Sequence, residues 1–195
     1  NDSGHFSSIA IVGGYPVVAH VNPATYQLRV TRCFAADCAM TASYVLDGDA
    51  TWQVSGQTSI ARGADGFPVI SYSRAENLWV AKCNDADCAG GDETLSAVDF
   101  TVYVGGTSLA LGADGFPVIS YYDDSHQALR VAKCDDAACA GGNERRMLLD
   151  NPYGSEVGMS SSIVLGSDGF PIVATYNLTN GDLRIVKCMN ASCYY

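Results

Sequence analysis

Apolar residues fall in short runs along this chain, separated at even intervals by turns rich in Gly and Asp. No stretch sustains the 3.6-residue period of an amphipathic helix, so the pattern predicts strands. The clearest alternation is Leu129-Arg130-Val131-Ala132-Lys133-Cys134, which puts Leu, Val and Lys on one face and Arg, Ala and Cys on the other. It belongs to the stretch Gly112 to Cys139, of which the rest of the chain is an imperfect copy. Four repeats align on Pro16, Pro68, Pro117 and Pro171 and on Cys33, Cys83, Cys134 and Cys188, a period of about fifty residues.

Each repeat opens on a short apolar strand: Ser8 to Ile11, Ser59 to Arg62, Ser108 to Leu111 and Ser162 to Leu165. A turn follows, carrying Asp65-Gly66, Asp114-Gly115 or Asp168-Gly169, with Gly13-Gly14 in the first repeat. Asp-Gly between apolar runs is a strong hairpin signal, because Gly takes up positive φ at little cost. The second strand begins at the proline, whose missing N–H is tolerated at a strand end. A variable polar loop precedes the alternating third strand. A weaker fourth strand ends in Asp at Asp47, Asp99 and Asp150. Four antiparallel strands per repeat of this length predict an all-β chain folded as one β-propeller domain with four blades, spanning about residues 7–52, 53–101, 102–155 and 156–195.

The pattern G-x-P-x-I-S-Y-Y-D…L-x-V-A-K-C resembles the repeats of secreted bacterial β-propellers loosely related to the sialidase-like superfamily. The four-repeat length is similar to that of hemopexin-like propellers. The resemblance implies a fold and no particular activity: the Asp-box pattern S-x-D-x-G-x-T-W is absent, and no sialidase-type Arg triad can be placed. The fourth repeat stops at Cys193-Tyr194-Tyr195, before a fourth strand. The residues before Ser8 are too few to supply that strand from the N-terminus. Blade four is then expected to be three-stranded with an open edge, to be covered by another chain, or to continue in a longer natural chain. An open edge is a template for self-association by strand addition.

Eight cysteines form four C-x4-C pairs, Cys33–Cys38, Cys83–Cys88, Cys134–Cys139 and Cys188–Cys193. Zinc sites favour C-x2-C and need two pairs to converge, so one local disulfide per blade is expected instead, and with it an extracellular or cell-surface location. The chain begins at Asn1 without Met, consistent with a removed signal peptide or with a piece of a longer protein. With 21 acidic and 11 basic residues the formal charge is −10, which speaks against a nucleic-acid partner. No apolar run is long enough to span a membrane.

Residues that recur in every repeat are candidates for scaffold; residues that break it are candidates for function. Arg32, Lys82, Lys133 and Lys187 each precede a first cysteine, either as a basic ring for an anion or, as favoured here, paired with nearby carboxylates such as Asp37, Asp87 or Asp135. Asp65, Asp114 and Asp168 are read as turn residues, because a lone Asp lacks the several oxygens that calcium needs, and neither a metal nor a cofactor is expected. His5, His20 and His126 have no Ser or Cys placed in sequence to form a nucleophile–base pair.

A glycosidase needs two facing carboxylates, for which Glu76, Asp123, Asp124, Glu144 and Glu156 are the non-repeated supply. Aromatic and polar side chains near the variable loops suit sugars: His20 and Asn22, Tyr72 and Arg74, Tyr121, Tyr122, Asp123 and Asp124, Tyr176 and Asn177. N-x-S/T sequons stand at Asn1, Asn177 and Asn190, with Asn177 and Asn190 the candidate glycosylation sites. The expected function is a non-catalytic extracellular structural or self-assembling module. A glycan-binding adhesin or lectin is the alternative, and a glycosidase the more distant one.

Overall fold

The period-two runs become fifteen strands in four antiparallel sheets. The computed structural model describes residues 4–100, 103–151 and 154–194. Blade 1 is β1 (His5–Val12), β2 (Tyr15–Asn22), β3 (Gln27–Cys33) and β4 (Thr41–Asp47), paired in chain order. Blade 2 comprises β5 (Val54–Arg62), β6 (Pro68–Arg74), β7 (Asn77–Lys82) and β8 (Thr94–Asp99). Blade 3 comprises β9 (Val104–Leu111), β10 (Pro117–Asp123), β11 (Ala128–Lys133) and β12 (Arg145–Asp150). Blade 4 has three strands only, β13 (Val157–Leu165), β14 (Pro171–Asn177) and β15 (Asp182–Lys187). The first strands lie innermost, β1 packing on β5, β5 on β9 and β9 on β13. This is the expected β-propeller architecture of four blades, with the last lacking its outer strand.

The predicted turns form as a shared device. Gly63 N–H donates to Phe67 O at 2.7 Å, and the Gly112–Phe116 and Gly166–Phe170 turns close in the same way at 2.8 Å. Gly66, Gly115 and Gly169 sit at φ +92, +80 and +77°, where a side chain would strain the backbone. The carboxylate of the turn Asp accepts from the N–H two residues on, at 3.1 Å in all three cases. Its other oxygen holds the lysine of the third strand: Lys82–Asp65 at 2.7 Å, Lys133–Asp114 at 2.8 Å and Lys187–Asp168 at 2.6 Å. The cation pairing is therefore with the turn aspartates, and not with Asp37 or Asp135. Blade 1 has glycine in place of that aspartate, and its Arg32 reaches Asp87 of blade 2 instead.

All four disulfides are local, Cys33–Cys38, Cys83–Cys88, Cys134–Cys139 and Cys188–Cys193. The second cysteine of each sits in the left-handed region, φ 52–55°, so the clip fixes one recurrent turn of the backbone.

Because strands alternate, every blade has a leading face toward the next blade and a trailing face toward the previous one. Val17, Ala19, Leu28 and Val30 of blade 1 pack against Ile60, Ile70, Tyr72 and Cys83 of blade 2. Val69, Leu78 and Val80 of blade 2 meet Leu109, Ile119 and Tyr121 of blade 3. Val118, Leu129 and Val131 of blade 3 meet Ile163, Val173 and Cys188 of blade 4. Four blades thus enclose three cores, and among the described residues no buried apolar cluster joins blade 4 to blade 1. The propeller is an open arc.

Candidate functional site

Of the residues expected at a ligand-binding loop face, Tyr72, Arg74, Tyr121 and Tyr122 bond across blade boundaries. Tyr72 and Tyr121 are wholly buried and donate across blade boundaries, Tyr72 to Asp47 at 2.5 Å and Tyr121 to Asp99 at 2.7 Å. Tyr122 is also buried and donates to Glu156 at 2.5 Å. Burial and then the adjacent carboxylates push all three phenols above their ordinary range, so each stays protonated and donates. Asp123 is buried against Arg130 Nε at 2.6 Å and His126 Nδ1 at 2.7 Å. Arg74 lies between the rings of Trp52 and Trp79 and pairs with Asp47 at 3.3 Å.

His20 is buried on the trailing face of blade 1, its Nε2 bonded to Thr31 Oγ1 at 3.0 Å while Nδ1 has no partner. Asn22 closes its own turn by accepting from Ala24 N–H at 3.0 Å. Asp124 is exposed, but its N–H is spent on Tyr103 O at 2.8 Å. Only Tyr176 of the tyrosines proposed for sugar stacking presents its ring to solvent.

The backbones of the variable loops are anchored as well, while Asp124, Ser125, His126 and Leu178 keep exposed side chains. Tyr26, Glu76 and Gln127 each give their carbonyl to the first residue of the next inner strand: Val54, Val104 and Val157. Ala75, Asp124 and Leu178 donate back to the connector preceding their own blade.

The glycosylation expectation at Asn177 is overturned for the same reason. Its side chain is buried and accepts from Asn180 N–H at 3.2 Å, so a glycan has no access to it. Asn190 accepts from Ser192 and Tyr194 N–H at 3.1 and 3.0 Å, and its Nδ2 donates to Tyr194 O. Asn1 lies outside the described residues.

Of the carboxylates proposed for hydrolysis, Asp124 and Glu156 both approach the hydroxyl of Tyr122. Glu156 serves Tyr122, Asp123 serves Arg130 and His126, and the side chain of Glu144 accepts from Gly142 N–H at 3.2 Å. Three or more metal-ligating side chains do not converge anywhere among the described residues. The surface carries shallow concavities. One, of about 270 Å³, lies between blades 3 and 4 beside Lys133, Arg145 and Ser192. Another, of about 210 Å³, lies on the leading face of blade 4 beside Ser162, Ala174, Tyr176 and Leu183.

That face is what reading the sequence missed. Leu183 is 71 % and Ile185 65 % exposed, whereas their counterparts Leu28, Leu78, Leu129 and Val30, Val80, Val131 are all at 0 %. Val164 is 57 % exposed, against partly buried Ala61 and Ala110. The trailing face of blade 1 repeats the anomaly: Ile9 is 63 % exposed, where Ile60, Leu109 and Ile163 are at 5–8 %. Cys38 is exposed while Cys88, Cys139 and Cys193 are buried. The signal in the sequence was the repeat itself: blade 4 carries the ordinary core residues of the repeat, and among the described residues no further blade lies against them.

No protein-family model and no curated protein matches the chain. Solved structures do. A GH43 β-1,3-galactosidase aligns over 89 % of this chain and 40 % of its own, with TM-score 0.60 and 12 % identity. A protein of unknown function from Dyadobacter fermentans aligns over 96 % of this chain and 61 % of its own, with TM-score 0.66 and 11 % identity. An endo-arabinase from Bacteroides thetaiotaomicron VPI-5482 aligns over 98 % and 77 %, with TM-score 0.60 and 12 % identity. At such identity the likeness shows the fold alone, a β-propeller. This chain spans less than two thirds of each of the first two, 40 % and 61 %.

Proposed function

We propose that this chain is a non-catalytic extracellular assembly module. The observation that carries the reading is the pair of uncovered blade faces, Ile9 with Ile11 at one end and Leu183 with Ile185 at the other. An isolated arc keeps these in water; an assembly buries them. Four disulfides fit an oxidising, extracellular compartment. No helix among the described residues is long and apolar enough to cross a membrane. Asp123, Glu144 and Glu156 are engaged by partners within the chain, which leaves Glu76 and Asp124 as the exposed members of the carboxylate set that a glycosidase would need.

Sedimentation and particle imaging of the native, disulfide-intact protein across a concentration series test this reading. Concentration-dependent particles larger than one chain are expected. A strictly monomeric protein at high concentration would sink it. Carbohydrate chemistry is the second reading, favoured by the glycosidase names of two structural neighbours. A glycan array and release assays on arabinan and β-1,3-galactan address it, and binding or turnover there would replace the assembly reading.

A further inference from the structure

The occupant of the open faces can be read from the three interfaces the molecule already contains. Each joins a leading face to a trailing face, and the two uncovered surfaces are one of each kind. Leu183, Ile185, Ile172 and Val164 of blade 4 occupy the repeat positions by which blades 1 to 3 grip the blade that follows. Ile9, Ile11 and Val18 of blade 1 occupy the positions by which blades 2 to 4 are gripped, with Ile9 and Val18 paired directly across β1 and β2.

Polar groups match in the same register. Leu109 N–H donates to Ser59 Oγ at 2.9 Å and Ile163 N–H to Ser108 Oγ at 3.2 Å, each across a blade boundary. The next members of those series are Ile9 N–H and the exposed Ser162. Arg32 of blade 1 pairs with Asp87 in the disulfide loop of blade 2. The residue at that position on blade 4 is Lys187, which pairs with Asp168 of its own turn at 2.6 Å while its side chain stays 53 % exposed, and the carboxylate at the Asp87 position on blade 1 is the exposed Asp37. Blades 3 and 4 carry Ala138 and Ser192 at that loop position.

We propose that the partner is a second copy of this chain, seated head to tail, with the leading face of blade 4 on the trailing face of blade 1 of the next molecule. Such a heterologous contact leaves a free face at each end and propagates, either closing a ring of blades or running on as a filament. This rests on the assembly reading above and adds the partner and its orientation.

Two single substitutions test the orientation. Leu183→Asp spoils only the leading end and Ile9→Asp only the trailing end, and both sites are solvent-exposed in one chain, so unchanged circular dichroism and melting certify the fold. Each variant alone is expected to be monomeric, weakened at least about a hundredfold, because its contact would bury an unpaired carboxylate in apolar surface. Mixed one to one, the intact blade 4 of the Ile9→Asp protein meets the intact blade 1 of the Leu183→Asp protein. The mixture is expected to yield a dimer that grows no further. If either variant assembles by itself while the native chain does too, the contact joins like faces; the head-to-tail arrangement is then wrong although the module still assembles. If the native chain is monomeric, both ideas fall together.

Discussion

A buried hydroxyl pointing at a buried carboxylate is the recurrent polar contact between these blades. Tyr121 donates to Asp99 at 2.7 Å with both side chains at 0 % exposure. Tyr121→Phe removes that donor and is expected to cost about 1–3 kcal/mol in urea unfolding. Tyr72→Phe removes the equivalent donor to Asp47, which also pairs with Arg74 at 3.3 Å. His20 has a lowered pKa, the direction that makes stability fall as the pH falls. Burial first, and then the charge of Arg29, hold its pKa below 6.5, so between the two values the unfolded chain binds the proton that the folded chain refuses. Its contribution to stability is complete above about pH 6.5 and is lost as the pH falls through the folded value. Thermal melting from pH 7.5 to 5 should therefore show a decline that His20→Gln flattens.

At the scale of the element, one repeat unit yields four covalently similar clips in two environments. Cys83–Cys88 lies in the core between blades 1 and 2, whereas Cys33–Cys38 has no blade before it. Thiolate attack requires access to a sulfur. Mild reduction followed by alkylation and mass spectrometry should label Cys33 and Cys38 first; labelling of Cys134 or Cys188 ahead of them would contradict the exposure difference. Each clip closes a loop of sequence separation 5, worth about 2 kcal/mol on the chain-entropy view. Replacing both Cys83 and Cys88 by alanine should cost more than that, since the same atoms also fill the interblade core. The hairpins were legible as elements because Asp-Gly turns and period-two runs act locally. The anchoring of the variable loops was not legible, because their hydrogen bonds run to neighbouring connectors fifteen or more residues away in the chain, as from Val104 N–H to Glu76 O.

For the whole molecule, position in the arc outranks residue type. Leu129 and Leu183 hold the same place in successive repeats, yet one is fully buried and the other mostly in water. Leu129→Ala should destabilise by about 2–5 kcal/mol. Leu183→Ala should change monomer stability by no more than about 0.5 kcal/mol, as exposed positions do. Chemical denaturation of both at a concentration low enough to hold the chain monomeric measures the contrast directly. Equal losses would mean that blade 4 is covered within a single chain.

The sequence by itself determined the repeat, the strands, the turn chemistry, the disulfide partners and the missing outer strand of blade 4. All of these follow from interactions spanning a few residues, or from one repeat compared with the next. Only the tertiary structure decided which faces stay uncovered and which tyrosines are structural. A strand's alternation says that one side is apolar without saying whether another sheet lies against it. Tyr72, Tyr121 and Tyr176 look alike in sequence, but two are enclosed by the preceding blade and the third, on the last leading face, has nothing in front of it within this chain. That difference comes from the number of blades and the openness of the arc, a property of the assembled sheets that no single repeat carries.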